Sequence, residues 1–147
     1  MRYAGDVLPE QCWQDLKENS STAFLIDVRT RPEWVFVGTP TMAPEMHPLI
    51  LKEWQTAPET SVERFVDLAF AEQVGSRVRE LGGDETSTLY FICRSGIRSM
   101  AAADAVADAG FNRCFNVLNG VEGDMNEMGQ RGKLNGWKAA NLPWQQS

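Results

Sequence analysis

Cys93, Arg94, Ser95, Gly96, Ile97, Arg98 and Ser99 form the stretch of this 147-residue chain whose residue types and spacing carry chemistry. The cysteine follows an apolar run, Thr88-Leu89-Tyr90-Phe91-Ile92, which reads as a strand buried on both faces of a sheet. After the turn, a small-residue helix is expected from Ser99 to Ala109, stopped by Gly110. A short turn between strand and helix can curl the N–H groups of residues 94 to 99 toward one centre, and Gly96 supplies the backbone freedom that such a curl needs. The thiol would sit in that cup of donors, beside the positive end of the helix and the guanidinium groups of Arg94 and Arg98. Each of these favours the thiolate, the nucleophilic form of cysteine. Ser95 and Ser99 either hydrogen-bond the sulfur or cap the helix, and both readings stand. The implied chemistry is nucleophilic attack by sulfur, with anionic species held by main-chain donors and no general base.

The elements that must position this loop alternate between strand and helix. Pro9 reads as a first-turn helix residue, and Cys12, Trp13 and Leu16 then share one face of a helix ending near Asn19-Ser20. Ala23-Phe24-Leu25-Ile26-Asp27-Val28 is a second buried-strand pattern with Asp27 near its carboxyl end. Thr60-Ser61-Val62-Glu63 reads as a capping box, and Val62, Phe65, Val66, Ala69, Phe70, Val74, Val78 and Leu81 keep helical spacing up to Gly82-Gly83. Arg113-Cys114-Phe115-Asn116-Val117 forms a third strand. Strands alternating with helices specify an α/β fold with a parallel sheet. Ala101, Ala102 and Ala103 let the helix after the loop approach that sheet closely, and Cys12 and Cys114 are expected to be inert buried thiols.

Between Asn119 and Gly136 lie five of the twelve glycines, which predicts a long loop at 119–136. Trp137, Leu142 and Trp144 are expected to dock the C-terminal tail and order it. No repeat or low-complexity tract divides the chain, so residues 1–147 read as a single domain.

Composition excludes several functions. The formal net charge is −6, which offers no field to attract a phosphate backbone, so no nucleic-acid partner is expected. No apolar stretch approaches the ~18 residues of a membrane span. The start, Met1 to Asp6, lacks the apolar segment of a signal peptide, and a cytoplasmic location is expected with no membrane association. The cysteines show no CxxC spacing, and the one histidine, His47, sits in a Pro-rich segment and reads as a surface-loop residue. No metal site is expected.

With these residues in view, the chain resembles the rhodanese domain, and specifically its single-domain sulfurtransferases. The resemblance covers most of the sequence: Leu25-Ile26-Asp27-Val28-Arg29 with Glu33 and Gly38, the Cys93 to Ser99 loop, the strand before Asn119-Gly120, and the tail from Asn135-Gly136-Trp137 to Pro143-Trp144. It implies a rhodanese-like parallel sheet flanked by helices on both faces. It also implies a thiosulfate sulfurtransferase type of enzyme without metal or organic cofactor, in which Cys93 takes sulfur from a small anionic donor and becomes a persulfide. The outer sulfur then passes to a thiol, a cyanide-like nucleophile or a protein acceptor. Arg94 through Ser99 would form the anion site. Arg94 and Arg98 are expected to orient the donor, at least one of them also pairing with a carboxylate such as Asp27. Asp27 and Arg29 are expected to support the site by tying the strand to neighbouring loops. Two alternatives share this fold: a non-catalytic rhodanese-homology module that binds a protein, and a phosphatase or arsenate reductase. Cys93 to Arg98 is a C-x4-R spacing, whereas those phosphatases resemble C-x5-R, and the tighter turn suits a single sulfur atom better than a tetrahedral phosphate. The Arg-rich loop resembles the thiosulfate type more than the mercaptopyruvate type.

The chain departs from the family after Gly38, where Thr39-Pro40-Thr41-Met42-Ala43-Pro44 replaces the usual His-Ile-Pro-Gly-Ala stretch. Trp34, Phe36, Met42, Met46 and Trp54 cluster in and around this segment and are expected to pack the core.

Overall fold

The computed structural model describes residues 3–54 and 60–146, with side chains 60–67 excepted. Its main sheet has five parallel strands in the order β1-β6-β5-β2-β4: β1 (Gly5–Val7), β2 (Ala23–Asp27), β4 (Ile50–Leu51), β5 (Thr88–Ile92) and β6 (Arg113–Val117). A second small sheet pairs β3 (Thr39–Pro40) with β7 (Trp144–Gln145), antiparallel. The helices are α1 (Pro9–Glu18), α2 (Arg31–Phe36), α3 (Thr60–Glu80) and α4 (Ile97–Asp108).

Every residue of β2 and β5 is buried, as their continuous apolar runs require of strands covered on both faces. One face carries α3 and α4, with Phe70, Val74, Val78, Ala102, Ala103 and Val106 packed on Phe24, Ile26, Leu89 and Phe91. The opposite face carries α1 and the tail, with Cys12, Leu16 and Trp137 on Leu25, Tyr90 and Ile92. The expected flanking of the sheet on both faces is therefore what the fold shows. The capping box at Thr60 to Glu63 and the side chains of Val62, Phe65 and Val66 lie outside the described residues.

Three differences from the sequence reading matter for the site. The helix after the cysteine loop begins at Ile97, two residues before the expected Ser99, because Gly96 at φ +107° turns the chain directly into it. Helix α2 was not expected. Thr30-Arg31-Pro32-Glu33 starts it: Pro32 sits in the first turn, and the Glu33 carboxylate accepts from both the N–H and the hydroxyl of Thr30. Among the aromatic and methionine cluster, Met46 and Trp54 are buried and Met42 packs on the core, but Phe36 is 77% exposed, a correction to the packing expectation.

The C-terminal tail packs on the face that carries α1. Trp137 is fully buried, meets Trp13 edge-on at 5.8 Å and donates its indole N–H to the Pro143 carbonyl. Leu142 is partly buried against the same cluster. Trp144 stays half-exposed under the ammonium of Lys138, 3.8 Å from its ring centre. Lys138 Nζ donates to the Val37 carbonyl and Gln146 Nε2 to the Phe36 carbonyl, so the tail fixes the end of α2.

Candidate functional site

Strand β2 is followed in space by β4 on one side, whereas β5 is followed by β6 on the other. The carboxyl edge between β2 and β5 is thus the point where chain order reverses, the usual place for a ligand crevice in such sheets. Asp27 closes β2 opposite Ile92, and Cys93 comes next.

Cys93 is buried, and its Sγ accepts from the Gly96 N–H at 3.1 Å. Ser99 Oγ lies 3.2 Å from the same sulfur. Because α4 starts at Ile97, the amides of Ile97, Arg98 and Ser99 belong to its first turn, where helix geometry leaves N–H groups without intrahelical partners. Ser99 stands inside this first turn, its hydroxyl oxygen beside the sulfur, and Gly96 holds the N-cap position. Ser95 is half-buried at the bend, and Ile97 and Arg94 are exposed.

The backbone of the loop is held from behind by the glycine-rich segment. Val121 N–H donates to the Cys93 carbonyl at 2.8 Å, and the Glu122 and Gly123 N–H groups donate to the Arg94 carbonyl at 3.0 and 3.1 Å. With its carbonyls engaged there, the loop keeps them away from the sulfur. Gly120 makes this approach feasible: it sits at φ +59°, and a Cβ there would lie 2.3 Å from the Cys93 carbonyl oxygen. Gly120 to Gly123, at the start of the glycine-rich segment, are accordingly part of the site's scaffold.

The arginines divide their roles. Arg98 is bound by the Glu33 carboxylate through two hydrogen bonds of 2.7 and 2.9 Å. Burial alone would push the Glu33 carboxyl up, but the bonds from Arg98 and from Thr30 outweigh it and hold the group down at about 2. The carboxylate paired with a loop arginine is therefore Glu33 and not Asp27. Asp27 is fully buried and already engaged: it accepts from the Arg29 N–H and from Arg29 Nε and Nη2, the last at 2.7 Å. Arg29 Nη2 also reaches the Gly38 carbonyl at 2.6 Å, which ties β2 to the segment after α2.

Asn116 was not singled out from the sequence. Its Oδ1 accepts from Ser99 Oγ at 2.5 Å, and its Nδ2 donates to Asp6 Oδ1 at 3.0 Å and to the Gly96 carbonyl at 3.2 Å. The available signal was a fully amide-bearing side chain inside an apolar strand. The signal for Glu33 was its place three residues after Thr30.

His47 is distant in role: its ring stacks on Phe24 at 4.1 Å and its Nε2 contacts the Ser21 carbonyl. Burial pushes the thiols of Cys12 and Cys114 up, the latter to about 12. Two cavities of about 470 and 410 Å³ flank α2 and share Arg31, Trp34 and Leu51, and no residue of the 93–99 loop lines either. Among the described residues no group of three or more His, Cys, Asp or Glu side chains could hold a metal ion, and no helix is long and apolar enough to cross a membrane.

The profile of the Rhodanese-like domain family matches residues 8–127. The chain belongs to that family. This rhodanese-like domain is 34% identical over 131 residues to an uncharacterized protein of Rickettsia conorii, RC0915, covering 89% of each chain. It is 30% identical over 126 residues to RP600 of Rickettsia prowazekii, covering 86% of this chain and 85% of that one. Among solved structures, the crystal structure of Rv0390 from M. tuberculosis superposes with a TM-score of 0.75 at 34% identity, covering 99% of both chains. The polysulfide-sulfur transferase homodimer from Wolinella succinogenes shares the rhodanese-like fold at 18% identity, with a TM-score of 0.59, covering 99% of this chain and 80% of that one. The five-stranded parallel sheet with helices on both faces is thus the rhodanese-like α/β fold.

Proposed function

We propose that this protein is a sulfurtransferase of the thiosulfate type, with Cys93 as the catalytic residue that carries sulfane sulfur as a persulfide. The observation that supports this reading most is the seat of Cys93 Sγ on the Gly96 amide at the start of α4, with the Ser99 hydroxyl beside it. Main-chain donors fixed before the reaction stabilise anionic sulfur without reorganising. In the first half-reaction the Cys93 thiolate attacks the sulfane sulfur of thiosulfate. A new S–S bond forms at Cys93, the donor's S–S bond breaks, and sulfite leaves with the electron pair. In the second, a thiol or cyanide attacks the outer sulfur, and the Cys93 thiolate is regenerated as leaving group.

No proton has to be abstracted from either nucleophile in its anionic form, which fits a site whose nearest titratable neighbours are arginines and carboxylates. Arg94 is exposed and carries the charge that would meet an anionic donor, while Arg98 is held to Glu33 and shapes the loop. Asp27 and Arg29 act as support beneath them. The acidic chain suits neither a nucleic-acid nor a membrane partner, and its unbridged cysteines suit a reducing, cytoplasmic setting.

The test is thiocyanate formation from thiosulfate and cyanide. Turnover that disappears in Cys93→Ser supports the assignment. A wild-type protein that forms no thiocyanate, yet binds a protein partner equally well with and without the Cys93 thiol, points to the binding-module alternative. Hydrolysis of an aryl phosphate that depends on Cys93 points to the phosphatase.

A further inference from the structure

Behind the sulfur a chain of buried polar groups runs from Cys93 through Ser99 and Asn116 to Asp6 at the surface. Ser99 is fully buried and Asn116 is 2% exposed, so each must find its partners within the protein. The direction of every bond in this chain is decided by one side chain. The two acceptors next to one end of the Asn116 amide are the Gly96 carbonyl and the Asp6 carboxylate, which demand the NH2 group there. The amide oxygen then faces Ser99 and can only accept. A serine hydroxyl has a single proton, and at 2.5 Å that proton is committed to Asn116 Oδ1. In the contact of 3.2 Å between Cys93 and Ser99, the thiol is consequently the donor and Ser99 Oγ the acceptor.

Once the sulfur is anionic this arrangement cannot persist, because a thiolate or persulfide has no proton to give. The Ser99 hydroxyl must then turn from Asn116 to the sulfur. We propose that Asn116 is a positioning residue that orients the Ser99 hydroxyl, holding it as an acceptor toward the Cys93 thiol and competing for it with the anionic sulfur. The role rests on the sulfurtransferase reading only in that sulfur transfer is where anionic sulfur arises; the hydrogen-bond polarity itself does not depend on it. Asn116 touches neither donor nor acceptor and acts through Ser99.

The charged groups facing Cys93 are Arg98, paired with Glu33 of α2, the Asp27–Arg29 pair at the end of β2, Arg94 in the loop, and Asp6 of β1 behind Asn116. The substitutions used below leave all of these charges in place; Asn116→Leu also removes the bonds to Asp6 and to the Gly96 carbonyl, and the Ser99→Ala background separates that loss from the effect of the hydroxyl.

The experiment is the rate of Cys93 alkylation by iodoacetamide against pH, a reaction that needs no sulfur donor. Asn116→Leu, close in shape to the native residue, frees Ser99 to donate to sulfur. The midpoint is expected to move down by about half a pH unit or more, a roughly threefold faster rate on the acid limb given tenfold per unit for one titrating thiol. Ser99→Ala is expected to move it up, and in that background Asn116→Leu is expected to have no effect. A midpoint that Asn116→Leu leaves in place or raises, or a downward shift that persists without the Ser99 hydroxyl, overturns the proposal. Should Asn116→Leu not fold, the wild-type protein decides: the side-chain carbonyl carbon of Asn116 should change its NMR shift with the same pH midpoint as alkylation, and a shift indifferent to Cys93 ionisation overturns it. A protein that passes these tests but takes no sulfur from thiosulfate would leave the network standing and remove the sulfurtransferase assignment. The opposite pair of results would do the reverse.

Discussion

Glu33 and Arg98 join α2 to α4 across the mouth of the cysteine loop, carboxylate to guanidinium through parallel bonds of 2.7 and 2.9 Å. One Glu33 oxygen also accepts from the Thr30 N–H and hydroxyl, so the same carboxylate starts α2 and anchors the loop arginine. A planar guanidinium matched to a carboxylate in this way fixes direction as well as distance. The tail, through Lys138 and Gln146, holds the other end of α2.

This pair gives a pH dependence with a definite sign. The Glu33 carboxyl ionises at about 2 in the folded protein, against about 4.3 when unfolded. Its stabilisation is complete above about pH 4.3 and is lost as pH falls through about 2. Glu33→Gln is therefore expected to be less stable than wild type above pH 5, with the difference narrowing steadily below pH 4. Urea unfolding at several pH values checks this; a difference that widens on acidification contradicts it.

Gly120→Ala is expected to damage the loop more than its size suggests. The new Cβ would meet the Cys93 carbonyl oxygen at 2.3 Å and the Arg94 carbonyl carbon at 2.5 Å, on a backbone already at φ +59°. A cost of about 1–3 kcal/mol is expected from the left-handed backbone alone. Thermal unfolding should show this loss, and Cys93 alkylation should slow in the part that stays folded.

Asp27 and Arg29 form a fully buried pair, so removing one partner leaves an uncompensated charge. Arg29→Met is expected to cost about 3–5 kcal/mol, measured by urea denaturation. Arg29→Lys should not restore the wild-type value, because an ammonium cannot reach Asp27 and the Gly38 carbonyl in the same fork geometry.

The three thiols should separate by reactivity. All three thiols are buried, but burial pushes Cys12 and Cys114 upward, whereas the Cys93 sulfur accepts from the Gly96 N–H at the end of β5. Mild alkylation at pH 8 is expected to modify Cys93 first in the native protein, and all three only after unfolding, as read by intact mass and peptide mapping.

The long elements were legible because their signals are strong and local. Thr88–Ile92 and Arg113–Val117 match their strands residue for residue: the first is an apolar run buried on both faces, and the second carries the β-favouring Cys114, Phe115 and Val117 between the turn residues at Gly110 and Asn119. The cysteine loop was legible from its residue types, but the start of α4 was not, because the backbone turn at Gly96 determines it and Ser99 imitates a cap. Short elements such as α2, β1, β4 and β7 exist through tertiary contacts and carry little pattern of their own. A loop arginine does pair with a carboxylate, but with Glu33 on Arg98 rather than with Asp27, because carboxylate proximity is a property of the folded chain and Arg29 two residues along satisfies Asp27 first. Asn116 was missed for the same reason: only the pairing of β6 with β5 and β1 brings it beneath Ser99.

Intact mass after incubation with thiosulfate tests the central claim most directly. The wild-type protein is expected to gain one sulfur atom, mapped to Cys93 and removed by cyanide, and Cys93→Ser is expected to gain none. A wild-type protein that stays unmodified, or an adduct that survives in Cys93→Ser, would contradict the account.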